Sequence, residues 1–157
     1  MKIELYIGLL AEKQQAWLSS SLTMEEALLA KNYECFFSGL EVRGQIISSY
    51  QDLLKRLVSN LEASVAGFSA ESVLPFILQN SESLGISMQS VDKLQNIKQG
   101  FVDLRFIEER ISRLADTLPV EIENKLKLFQ GKRGMVQAYD RQKLQLANLY
   151  HRFEKRH

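Results

Sequence analysis

The feature that most constrains this chain is an apolar residue at every third or fourth position, sustained over long segments with little to interrupt it. Such spacing gathers the apolar side chains on one face of an α-helix and leaves the opposite face polar. A first stripe reads Ile3, Ile7, Leu10, Trp17, Met24 and Leu28, with Gln14 and Ser21 filling the same spacing. Thr23 and Glu26 have capping-box spacing, but the stripe keeps its phase through Ser19, Ser20 and Ser21, so one helix to about Ala30 is expected. A second stripe runs Tyr33, Phe36, Leu40, Ile47, Tyr50, Leu54, Leu57, Leu61, Val65 and Phe68. The phase slips at Lys31 and Asn32, where Asn32 suits an N-cap; there either a helix bends or two helices meet. At 1.5 Å per residue the second stripe alone would be roughly 50 Å long, too long for a helix of a round domain.

Punctuation is sparse, with two prolines and eight glycines in 157 residues. Gly67, Ser69 and Ser72 end the second stripe, and a short apolar helix over Val73–Leu78 tolerates Pro75 only in its first turn. Ser87 suits the N-cap of a third stripe: Met88, Val91, Leu94, Ile97, Phe101, Leu104, Ile107, Ile111, Leu114 and Leu118, which Pro119 should end. Val120, Ile122, Leu126 and Phe129 suggest a short amphipathic helix. Two glycines in Gly131-Lys132-Arg133-Gly134 then weaken helix by about 1 kcal/mol each relative to alanine, so Gly131 and Gly134 read as a hinge. Beyond it Val136, Tyr139, Leu146, Leu149, Tyr150 and Phe153 return to helical spacing. Strand-like alternation is absent. The expected fold is all-α: an elongated antiparallel bundle of three to five helices, some coiled-coil-like in length. Residues 1–130 form its core, and 131–157 form the hinge and an amphipathic C-terminal helix within one domain overall.

Chemistry is scarce in this pattern. The only histidines, His151 and His157, lie at the C-terminal end, in the order His-x-x-Glu for His151 and Glu154 and without a second histidine-bearing helix, so no metal site is expected. Cys35 has no histidine near it in sequence and, beside Phe36 and Phe37, reads as a small packed hydrophobe. The Gly-Lys-Arg-Gly run is neither a Walker motif nor a dinucleotide fingerprint. Carboxylate pairs such as Glu25–Glu26 and Glu108–Glu109, with Lys and Arg nearby, read as solvated helix surface. Neither an enzyme nor a cofactor is expected. The single cysteine excludes an intrachain disulfide and fits a reducing compartment, and neither a signal peptide nor a membrane-length apolar run is evident. The expectation is a cytoplasmic protein.

Charge is uneven. Residues 1–118 carry a net −4 and residues 119–157 a net +5, so the C-terminal quarter suits an acidic partner surface. Lys132, Arg133, Arg141 and Lys143 are its candidate contacts. Val136, Tyr139, Leu146, Leu149, Tyr150 and Phe153 are the candidate apolar anchors, because helix-in-groove recognition uses this spacing. Asp140 and Glu154 interrupt the basic residues, which argues against a nucleic-acid surface.

Two stretches resemble a known family. LLAKNYECFFSGLEVRGQIISSYQDLL (28–54) is similar to the first-helix region of flagellar export chaperones of the FliT and FlgN kind, through Lys31-Asn32-Tyr33-Glu34, Leu40, Arg43, Ile46 and Ile47. FIEERISRLADTLPVEIENKLKLFQGKRGMVQAYD (106–140) resembles the long third helix of that family and its ending at Ala138-Tyr139. Asp140-Arg141 stands where the family has a glycine, and the helical pattern to His157 is longer than its usual tail. The resemblance implies a bacterial cytoplasmic chaperone that binds helical termini of flagellar export substrates, such as hook-associated or filament-cap proteins. Some members also contact export-apparatus proteins. The residues alone leave open a structural coiled-coil adaptor that self-associates, including as a homodimer, and a small nucleic-acid-binding regulator.

Overall fold

The computed structural model describes residues 2–62, 69–116 and 132–154, and these are helical with short connections. The first stripe is one helix, α1 (Lys2–Leu29), unbroken by its serines. The phase slip is a turn between two helices, not a bend. Lys31 adopts a left-handed φ of 55°, Asn32 N–H donates to the Ala27 carbonyl at 2.8 Å and Lys31 N–H to the Leu28 carbonyl at 3.1 Å. These two bonds satisfy the last carbonyls of α1 in a Schellman turn. Asn32 Oδ1 then accepts from Cys35 N–H at 3.2 Å, capping α2 (Tyr33–Glu62) as expected.

A short α3 (Val73–Gln79) follows, with Pro75 in its first turn. The chain turns again at Gly85, whose φ of 68° suits a residue without a Cβ. Ser87 Oγ accepts from Ser90 N–H at 3.2 Å and starts α4 (Met88–Asp116). The final element is α5 (Lys132–Glu154). The amphipathic helix expected over Val120–Phe129 lies outside the described residues, as do Val65, Phe68, Leu118, Pro119 and Gly131.

Contacts along the helices fix their directions. Glu4, Gln14 and Glu25 meet Ser87, Ile97 and Arg110 in turn, so α1 and α4 run parallel. Ser112 meets Tyr139 and Phe101 meets Phe153, so α5 runs antiparallel to α4. Helix α1 packs on α2 and α4, while α5 packs on the other flanks of those two helices. Four long helices thus form a square bundle in the order α2, α1, α4, α5. The α2-to-α4 connection crosses between opposite corners, and α3 covers that end by packing on α2, α4 and α5.

Among the described residues the interior forms two apolar clusters. The larger includes Ile7, Leu10, Trp17, Ile47, Tyr50, Leu54, Leu57, Ile97, Phe101, Leu104, Leu146, Leu149 and Phe153. Trp17, Tyr50 and Phe101 meet edge to face at its centre, with ring centroids 5.9–6.1 Å apart. The smaller, beside the α1–α2 turn, holds Met24, Ala27, Leu28, Phe36, Leu40, Ile107 and Ile111. Two expectations shift. Cys35 is exposed, because the inner face of α2 is set by Phe36 beside it. Met88 is 75% exposed, because the buried face of α4 runs through Ser90, Leu94 and Ile97, and at about 100° per residue Met88 points away from it.

Candidate functional site

The two clusters are separated by a polar layer to which each long helix contributes one side chain. Ser21 lies between Trp17 and Met24 on α1, Arg43 between Leu40 and Ile47 on α2, Glu108 between Leu104 and Ile111 on α4, and Gln142 between Tyr139 and Leu146 on α5. All four are buried, Arg43 to 1% exposure. Helical spacing forces the layer, because a polar residue in phase with an apolar stripe points inward with it.

Arg43 organises the layer. Its Nη1 donates to Glu108 Oε2 at 2.8 Å and to Ser21 Oγ at 3.3 Å. Its Nε donates to Gln142 Oε1 at 2.7 Å, and Gln142 returns its amide N–H to the Leu40 carbonyl at 3.2 Å. Gly44 leaves the space that the Gln142 amide occupies. The Arg43 guanidinium also lies 5.7 Å from the Tyr139 ring centroid. Two buried atoms of the layer, Arg43 Nη2 and Glu108 Oε1, have no hydrogen-bond partner among the described residues. Burial, reinforced by the Glu108 charge, pushes the Tyr139 hydroxyl pKa well above its ordinary value.

No family model, curated protein or solved structure matches the chain.

The residues expected to grip a partner divide by position. Leu146, Leu149 and Phe153 are buried in the main core, so in this structure they close the bundle; helical spacing cannot tell a closing helix from a free one. Tyr139 and Tyr150 are half-buried. Tyr139 packs on Phe36 and shares a 3.4 Å hydrogen bond with Ser112, and Tyr150 lies under Arg105 at 4.5 Å. Arg141 is exposed, whereas Lys143 is half-buried with its ammonium 5.4 Å from the Tyr139 ring centroid. The side chains of Lys132, Arg133 and Val136 lie outside the described residues. Gly134 is not a break, because α5 begins at Lys132 and runs through it; good helix formers on either side (Lys132, Arg133, Met135, Gln137 and Ala138) offset the cost of one glycine.

Glu108 corrects a second expectation. It belongs to the interior with Arg43, and only its neighbour Glu109 is the solvated partner, in an exposed pair with Arg105. Glu25 is likewise engaged, taking both oxygens to Arg110 on α4. The sequence did carry a signal for the layer: Ser21 stands in phase with the apolar stripe, as does Gln14 two turns before it. Gln14 is buried and donates to the Ile97 carbonyl at 2.7 Å, its side chain lying where a Cβ on Gly100 would be.

Beside the layer, a groove of about 460 Å³ runs between α4 and α5. Arg105, Arg113, Lys143 and Tyr150 line it, and Glu108 reaches it from the interior. Among the described residues no group of His, Cys, Asp or Glu is placed to hold a metal ion, and no helix is long and apolar enough to cross a membrane.

Proposed function

We propose that this protein is a helical chaperone of the flagellar export kind, which shields an amphipathic helix of another protein by exchanging it for α5. The observation that carries the reading is how α5 enters the interior. Between Tyr139 and Phe153 it supplies Leu146, Leu149 and Phe153 on one face, joined by the single amide of Gln142. A partner's amphipathic helix offers the same kind of face, so the seat along α2 and α4 suits either occupant. The helix hairpin α1–α2 and its partner α4 supply the remaining walls. The resemblance over 28–54 and 106–140 points to helical termini of flagellar export substrates as the partners, and to the bacterial cytoplasm as the place.

The test is co-expression with the helical termini of hook-associated and filament-cap proteins. A soluble, stoichiometric complex is expected, in which α5 amides lose protection from hydrogen exchange. Absence of any complex across those clients would sink the proposal. A self-associating adaptor is the second reading, favoured by Leu22, Leu29 and Phe106. These exposed residues flank the Glu25–Arg110 pair on the outer α1–α4 face, and a stable oligomer without client binding would select it.

A further inference from the structure

We infer that the α5 seat selects partner helices carrying a hydrogen-bond acceptor, an amide or carboxylate oxygen, at the level of Arg43. That acceptor precedes a Leu-x-x-Leu-x-x-x-aromatic series by four residues, as Gln142 precedes Leu146, Leu149 and Phe153. This rests on the exchange proposed above and names the chemistry of the incoming helix.

Arg43 carries the argument. A guanidinium keeps its charge under all physiological conditions, and this one is 1% exposed. Its Nη1 bonds go to Glu108 and Ser21, which belong to α4 and α1 and stay in place whichever helix fills the seat. Only Nε is satisfied from α5, through Gln142 Oε1 at 2.7 Å. A helix with leucine at that level strands a charged N–H in the interior, where nothing else replaces the bond. A helix slipped by one turn puts an apolar side chain against Arg43 and suffers the same loss. The layer therefore reads register as well as composition, as single buried polar residues do in coiled coils. A carboxylate adds one possibility that the amide lacks. Arg43 Nη2 has no hydrogen-bond partner among the described residues, and Nε with Nη2 forms the edge that a carboxylate takes with both oxygens.

The test uses the full-length chain with its own helix weakened by Leu149→Ala and Phe153→Ala, titrated with labelled peptides spanning Lys132–Glu154. One peptide keeps the native sequence, one carries Gln142→Glu and one carries Gln142→Leu. The native and Gln142→Glu peptides are expected to bind, and the Gln142→Leu peptide about tenfold more weakly. In an Arg43→Met background the order should reverse. The peptide comparison requires no change at Arg43, so it stands even where that variant fails to fold. Equal or tighter binding of the Gln142→Leu peptide to the Arg43 chain overturns the acceptor rule while leaving exchange intact. Failure of all three peptides overturns exchange itself, and the acceptor rule with it. A dimer that the native peptide converts to monomers would seat a second copy's α5 there and overturn the assignment to a foreign helix.

Discussion

Tyr50 is fully buried between Trp17 and Phe101, and its hydroxyl has no hydrogen-bond partner among the described residues. Removing an unsatisfied buried hydroxyl costs nothing in hydrogen bonds, so Tyr50→Phe is expected to stabilise the fold by about 1 kcal/mol in urea denaturation. The same residue sets a pH response. Burial raises the Tyr50 hydroxyl pKa above its unfolded value, and burial followed by the Glu108 charge does so for Tyr139. A raised folded value means the stabilisation is complete below about pH 10, the ordinary tyrosine value, and is lost as pH rises beyond it. Denaturation midpoints between pH 8 and 11 should fall at the alkaline end, and less steeply in Tyr50→Phe. Arg43 and Glu108 make a different prediction. Arg43→Ala leaves Glu108 buried without its cation and should cost about 3–5 kcal/mol, whereas Arg43→Met with Glu108→Leu should recover most of that loss. A double-mutant cycle measures the coupling, and additive single losses would contradict it.

Helix ends are where single residues decide the course of the chain. Lys31 holds a left-handed conformation at the C-terminus of α1, where a Cβ crowds the following carbonyl. Lys31→Gly should therefore stabilise the protein by about 0.5–1 kcal/mol, read from the denaturation midpoint. A loss instead would mean that the Lys31 side chain matters more than its backbone. That turn was partly legible in the sequence, since a stripe of fixed period cannot shift phase without a break or bend, and Asn32 is a residue that caps. The choice between bend and hairpin was not legible, because it depends on Lys31 adopting a conformation its residue type disfavours. Periodicity likewise located α1 and α3 and the starts of α2 and α4 to within a few residues, because each buries one face. Three readings failed where the phase was not followed: Phe36 and not Cys35 sets the inner face of α2, Met88 points away from Ile97, and Glu108 stands in phase with Leu104 and Ile111. Phase separates Glu108 from Glu109, but only the position of α2 makes Glu108 the partner of Arg43.

At the scale of the molecule, the polar layer divides what would otherwise be one continuous core. Ser21, Arg43, Glu108 and Gln142 lie at one level across four helices, a juxtaposition no single stripe displays. Gln14 and Ser21 could be read as inward-facing, but the bonds among helices far apart in sequence could not. The layer also makes the bundle unequal. Ser21, Arg43 and Glu108 bond among α1, α2 and α4, so those three helices keep their polar contacts if α5 departs, and water can hydrate the exposed edge of Arg43. Helix α5 should therefore open as a unit at a free energy below that of global unfolding. Native-state hydrogen exchange tests this directly. Amides of α5 between Tyr139 and Phe153 are expected to exchange through a common opening, ahead of those in the central turns of α1, α2 and α4. Leu149→Ala with Phe153→Ala removes two of its buried anchors, each worth about 2–5 kcal/mol. Those substitutions should lower protection in α5 by orders of magnitude while leaving the slowest amides around Trp17, Tyr50 and Phe101 much less affected. Equal loss of protection everywhere would make α5 an inseparable wall of the bundle, and the exchange on which the proposed function depends would have no structural basis.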